Sequence, residues 1–242
     1  MKRISVVTTI LCLAVLGLAV QFIPDVFASG NNDDRDGSAL IYAPNTNVLG
    51  MSYGDWSAAW WQHVLTFTNN LSPYSDTTGQ YCNDGQGGPV FFLMGGPANP
   101  TYRNCTIPAG KALFLPIINV ECSTVEPGLF HGDNAQQLRA CAAMWNDGTD
   151  KSSLKMTIDG TKVRGLDDFR AQSPFYDFVV PPANNFLGVD GVTSGSSVSD
   201  GYWVMVKPLS PGVHVIHFEG AWVSGPGAGS VQNVTYTLTV TP

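Results

Sequence analysis

Charge is what this sequence has least of. Only 13% of its 242 residues are Asp, Glu, Lys or Arg, and 12 basic against 19 acidic side chains leave a net charge of -7. So little positive charge excludes sequence-independent binding to nucleic acid or to an anionic membrane surface. Long apolar runs are also missing beyond residue 28, which excludes a later membrane-spanning helix. The common catalytic signatures are absent as well. Without Gly-x-Ser-x-Gly, and without alternating strands and helices, an α/β-hydrolase is disfavoured. His-Glu-x-x-His and the His-x-His pair of a cupin do not occur, and the glycines at 85, 87 and 88 lack the Gly-Lys-Ser/Thr ending of a phosphate loop. Ser29, rather than histidine, would begin a chain cleaved after Ala28, which excludes an amino-terminal copper brace.

The amino-terminal stretch has the three parts of a secretory signal: Lys2-Arg3, an apolar run from Ile4 to Val20, and Val26-Phe27-Ala28 at the cleavage position. Residues 1–28 are therefore expected to be removed and the protein to be secreted or held at the cell surface. An uncleaved anchor is the alternative, because Ile4 to Ile23 is long enough to span a bilayer. Residues 29–47 are polar and turn-rich, and predict a flexible lead-in before one disulfide-bonded β-rich domain over 48–242. Within the lead-in, the acidic run from Asn32 to Gly37 only superficially resembles a calcium loop. Counting from Asn32, the bidentate glutamate would fall on Ala43.

Four cysteines follow residue 28. An even number in an exported chain predicts two disulfides, and of the three pairings Cys82–Cys105 with Cys122–Cys141 is favoured, since each closes a local loop worth ~3 kcal/mol. A zinc site is the alternative, but no Cys-x-x-Cys supports it. The 26 glycines and 16 prolines suit a turn-rich chain of strands.

A helix is predicted over 55–67, capped by Asp55, with Trp56, Trp60, Val64 and Phe67 on one stripe and His63 in its middle. Asp133 is read as the cap of a second helix carrying Leu138, Cys141, Ala142 and Trp145. Strands are expected at Val90–Met94 and at Ala112–Val120, where Pro116 implies an edge or a bulge. Cys105 to Lys111 reads as a turn between them. Asp159-Gly160 is the strongest short hairpin signal. Phe175–Val180 is a further strand, followed by a Gly/Ser-rich loop over 184–199. Tyr202–Val206 and Val213–Phe218 then read as a hairpin across a Pro- and Gly-containing reversal, and Val231–Val240 as a final strand beside it. The predicted fold is mainly β: an antiparallel β-sandwich or jelly roll with two short helices inserted in the N-terminal half.

Three stretches, Tyr53-Gly-Asp-Trp-Ser-Ala-Ala-Trp-Trp61, Cys105-Thr-Ile-Pro-Ala-Gly-Lys-Ala-Leu-Phe-Leu-Pro116 and Ser199-Asp-Gly-Tyr-Trp-Val-Met-Val-Lys-Pro-Leu-Ser-Pro-Gly-Val-His214, resemble an uncharacterised family of secreted prokaryotic proteins. The resemblance implies a shared compact exported domain and carries over no activity, cofactor or site residue.

A secreted or surface-associated binding module is the first functional expectation, with a glycan or other cell-surface component as candidate partner. Trp56, Trp60, Trp61, Tyr202, Trp203 and Trp222 are the candidate binding residues, because flat rings stack on sugar faces; each is equally suited to a core. The alternative is an extracellular metal-assisted hydrolase or lyase, with His63, Glu121, His131 and His217 as catalytic residues and as ligands of a divalent metal that activates water. His217 and Glu219 would share a strand face, and His214 would point away and be dispensable. A purely structural surface protein is the third possibility. Three sequons, at Asn70, Asn104 and Asn233, permit glycosylation.

Overall fold

The computed structural model describes residues 36–242. The signal-like segment and the acidic run from Asn32 to Arg35 lie outside the described residues. Two five-stranded sheets make up the domain. The first runs β1 (Val90–Phe92), β3 (Ala112–Ser123), β8 (Ser194–Val206) and β6 (Arg170–Gln172), and β7 (Tyr176–Val179) also pairs with β8. The second runs β2 (Thr101–Pro108), β10 (Val231–Thr241), β9 (Gly212–Ala221), β4 (Lys155–Ile158) and β5 (Thr161–Lys162). This is the expected β-sandwich, with its two helices as predicted. Each sheet carries one parallel pair, β1 with β3 and β2 with β10, and every other pairing is antiparallel.

One expectation fails at the centre of the fold. The strands on either side of Lys207–Pro211 are not a hairpin, because β8 pairs with β3 in the first sheet and β9 with β10 and β4 in the second. Pro208 and Pro211 supply no backbone N–H to a ladder, so the connection steps from one sheet to the other. Burial separates the two strands. From Ser197 to Val206 every residue of β8 is buried, as suits a central strand covered on both faces. In β9, Ile216, Phe218 and Gly220 face the core and alternate with less buried neighbours.

Several boundaries move for local reasons. β8 begins at Ser194, so the loop expected over 184–199 is shorter. Residues 105–108 belong to β2, and only Ala109-Gly110 turns. Pro116 lies in an interior strand but past the three residues that pair with β1, and the register shift between Pro116 and Ile118 is the bulge that tolerates it. Asp159 and Gly160, both at positive φ (51° and 77°), close the β4–β5 hairpin as read. In the lead-in, Ile41 bridges Val206 and is buried, and so is held against the sheet.

Helix α1 (Tyr53–Leu65) starts earlier than expected because Ser52, not Asp55, is its cap. Ser52 Oγ accepts the Asp55 N–H and the Asp55 carboxylate accepts the Ser52 N–H, a reciprocal box. Asn134, not Asp133, caps α2 (Ala135–Asn146) through the N–H groups of Gln136 and Gln137. α1 covers one face of the first sheet: the Ser57 hydroxyl lies 3.1 Å from that of Ser199, and Trp60 meets Trp203 edge-on at 5.4 Å. Trp203 in turn stacks on Phe114 at 5.2 Å. The second sheet packs on the opposite face, where Ile118 lies against Gly220. α2 covers the end of that face, burying Leu138 and Ala142 with Val120, Cys122 and Val198.

Both disulfides form as expected, Cys82–Cys105 and Cys122–Cys141. The second ties α2 to the end of β3. Among the described residues no helix is long and apolar enough to cross a membrane. The disulfides are compatible with an extracellular location.

Candidate functional site

β1 is only three residues long and pairs with Ala112–Phe114, so the same edge of β3 beyond Phe114 has no neighbouring strand. Gln232 of β10 partly fills the gap, its amide Nε2 donating to the carbonyls of Pro116 (2.9 Å) and Ile117 (2.6 Å). Beside this open edge lies a cavity of ≈ 290 Å³, reached by Trp61 from α1, Tyr74 from the following loop, Asn119 from β3, and Trp222 and Gln232 from the end of the second sheet. Among the described residues no charged side chain lines it.

Two buried polar atoms on its lining residues have no partner: Trp61 Nε1 and Asn119 Oδ1. Trp61 is only 6% exposed. A buried N–H left unmade costs on the order of 1–3 kcal/mol, so both atoms are unmet polar groups on residues that line the cavity. Asn119 owes its room to Gly201, its partner across the ladder, where a Cβ would stand 2.5 Å from Asn119 Cβ. Trp61 is braced edge-on by Trp60 (5.1 Å) and Phe186 (5.6 Å), and Phe186 also meets Tyr74 (5.1 Å). Trp222 is held by Trp145 at 6.0 Å and by Gly227, whose backbone lies against the indole.

A buried arginine fixes the remaining wall. Arg103, 2% exposed, donates to the carbonyls of Tyr74 (2.8 Å), Asp76 (2.6 Å) and Gly95 (2.5 Å), with its guanidinium over the Tyr236 ring. One side chain thus joins β2 to both loops at the cavity.

The other candidate aromatics are core. Trp56 donates to the Val48 carbonyl and Trp60 to the Leu93 carbonyl, both at 2.9 Å, and both rings are buried. Tyr202 and Trp203 are buried too, and leave no face for a sugar. Trp203 Nε1 also lacks a partner, but its ring is packed between Trp60 and Phe114. Of the six rings, only Trp61 and Trp222 meet at a cavity. Tyr74, Asn119 and Gln232 were not singled out in the sequence, where nothing relates positions so far apart.

The proposed metal set does not assemble. His63 sits between Phe67 and Phe92 at 5.2 and 5.4 Å, and burial lowers its pKa to about 4, so it stays neutral. His217 is on the outer face of the second sheet, 3.1 Å from Asn233 Oδ1 and 3.7 Å from Glu219. The expected His217–Glu219 proximity is therefore present, but without a third ligand. His131 lies in the loop after β3, its Nδ1 2.9 Å from the Glu126 carbonyl and its Nε2 3.1 Å from Asp133. Glu121 is buried beside Glu126. Among the described residues no three His, Cys, Asp or Glu side chains group to hold a metal. His214 is not idle as expected: it engages Asp159 (2.7 Å) and the Ser210 carbonyl (2.9 Å), tying β9 to the β4–β5 turn.

A larger opening of ≈ 600 Å³ lies where Gln62 and Thr66 approach β7 and β8. There Gln62 donates to the Asp177 carbonyl and Ser196 to the Asp177 carboxylate.

No family model matches the chain, and no curated protein matches it. Among solved structures, similarity is found to the cysteine protease inhibitor EhICP2 from Entamoeba histolytica, at 11% identity and a TM-score of 0.24 over 63% of this chain and 96% of that one. It is also found to amebosin, at 9% identity and a TM-score of 0.18 over 59% and 96%. Likeness at these scores carries no functional argument.

Proposed function

We propose that the domain is an exported binding module that takes a short, uncharged saccharide into the cavity beside β3. The observation that carries this is the unpartnered, buried indole N–H of Trp61, on a ring that lines a cavity with Tyr74 and Trp222. Sugars need what that wall offers: aromatic faces for the C–H surface of a ring, and neutral donors and acceptors for its hydroxyls. The Trp61 N–H would donate to a sugar oxygen and Asn119 Oδ1 would accept from a hydroxyl. The absence of charge in the lining favours a neutral ligand over an acidic or basic one. No comparable set of groups supports hydrolysis, because the imidazoles lie on separate elements and no acid or base lines the cavity.

The test is a glycan array with polysaccharide pull-down, run on the wild type and on Trp222→Ala. Retention of a neutral glycan by the wild type, weakened in the variant, supports the proposal. A folded protein that retains none refutes it.

A further inference from the structure

Two carboxyl groups meet in the interior. Glu121, near the end of β3, is 3% exposed, and its carboxyl hydrogen-bonds that of Glu126 in the next loop. The Ser197 hydroxyl donates to Glu121 and lies 2.8 Å from the Cys122 carbonyl, and the Ser123 hydroxyl donates to Glu126 at 2.9 Å. Tyr176, 7% exposed and paired with Ser197 across β7 and β8, brings a buried hydroxyl that makes no well-formed hydrogen bond and interacts with the Ser197 side chain. It lies close enough to the same carboxyls to interact with both. Among the described residues no lysine or arginine acts on either glutamate.

Two adjoining carboxylates in a low-dielectric site must be neutralised, by a shared proton or by a metal. We propose that Glu121 and Glu126, with the hydroxyls of Ser123, Ser197 and Tyr176, form a binding site for a hard divalent cation of the calcium class. Every donor is oxygen, which suits calcium and gives no preference to the nitrogen- and sulfur-seeking metals. Calcium also tolerates an irregular cage, whereas magnesium demands near-octahedral geometry and keeps its waters. Two negative charges match one divalent ion. Glu126 lies on a loop already pinned at Thr124 to Ser196, at Ser123 to His131 and through the adjacent Cys122–Cys141 bridge, so a bound ion would join that loop to β3 and β8.

The inference is independent of saccharide binding and has its own test. Chelator-treated full-length protein is titrated with terbium, read by luminescence excited through the aromatic side chains, then with calcium as competitor. One ion per chain, displaced by calcium and weakened about tenfold or more by Glu126→Gln or Glu121→Gln, is expected. Asp177→Asn, a surface carboxylate near the site, should bind as the wild type does. If either glutamine variant fails to fold by circular dichroism, Ser123→Ala replaces it and should weaken binding in the same direction. No binding at about 10 mM calcium, above the range of extracellular calcium modules, would overturn the proposal in favour of a shared proton. Binding that survives both glutamine substitutions would overturn it equally, by placing the ion elsewhere.

Discussion

Trp60 and Trp61 are neighbours in one helix and have opposite situations. Trp60 is fully buried, its N–H satisfied by Leu93 and its ring set against Trp203 in the central aromatic stack. Trp61 is almost as buried, yet its N–H is unmatched and its ring lines a cavity. The first closes the core and the second leaves a bond to be made. Burial alone therefore does not sort structural from functional aromatics here; hydrogen-bond satisfaction and adjacent space do.

The comparison breaks most visibly if the closed region is cut. Trp203→Ala should cost ~3–5 kcal/mol in urea unfolding, because it opens a void between Trp60 and Phe114 that the packed sheet cannot collapse. A loss below about 1 kcal/mol would mean the stack does not hold the core.

Next in size is Arg103→Met, which keeps much of the side-chain volume but leaves the carbonyls of Tyr74, Asp76 and Gly95 without their donor. About 3 kcal/mol should be lost, and any ligand affinity should fall in protein that still folds, since Tyr74 is part of the cavity wall. Unchanged stability would show that Arg103 is not the brace between the two loops.

His63 sharpens the contrast through pH. Its folded pKa, lowered by burial to about 4, lies below the ordinary 6.5 of an unfolded histidine. The unfolded chain therefore takes up the proton first. Stability is full above about pH 6.5 and falls as the pH drops toward 4, by of order 3 kcal/mol. His63→Phe, placed among Phe67 and Phe92, should remove that portion of the slope. A variant with the wild-type pH profile would contradict the assignment.

Much of the fold was legible because its signals are local. The cysteine spacing gave both bridges, Asp159-Gly160 gave its hairpin, and the tryptophan stripe gave α1. The sandwiched position of β8 was not legible, since a proline-rich reversal serves a hairpin and a step between sheets alike. The candidate site was half legible. Trp61 and Trp222 stand out by residue type, but Asn119 matters only because β1 stops short, and Gln232 only because β10 begins beside that gap. The acidic pair was half seen as well: Glu121 was picked out as a metal ligand, but with imidazole partners and not with Glu126 and hydroxyls.

The smallest structural change carries the most direct test. Trp61→Phe keeps an aromatic ring in the wall and removes the N–H, so stability should change by less than about 1 kcal/mol. Titration calorimetry with short neutral oligosaccharides should show saturable binding to the wild type and about tenfold weaker binding to Trp61→Phe, the equivalent of one hydrogen bond of about 1.4 kcal/mol. Wild-type affinity in the folded variant would contradict the account.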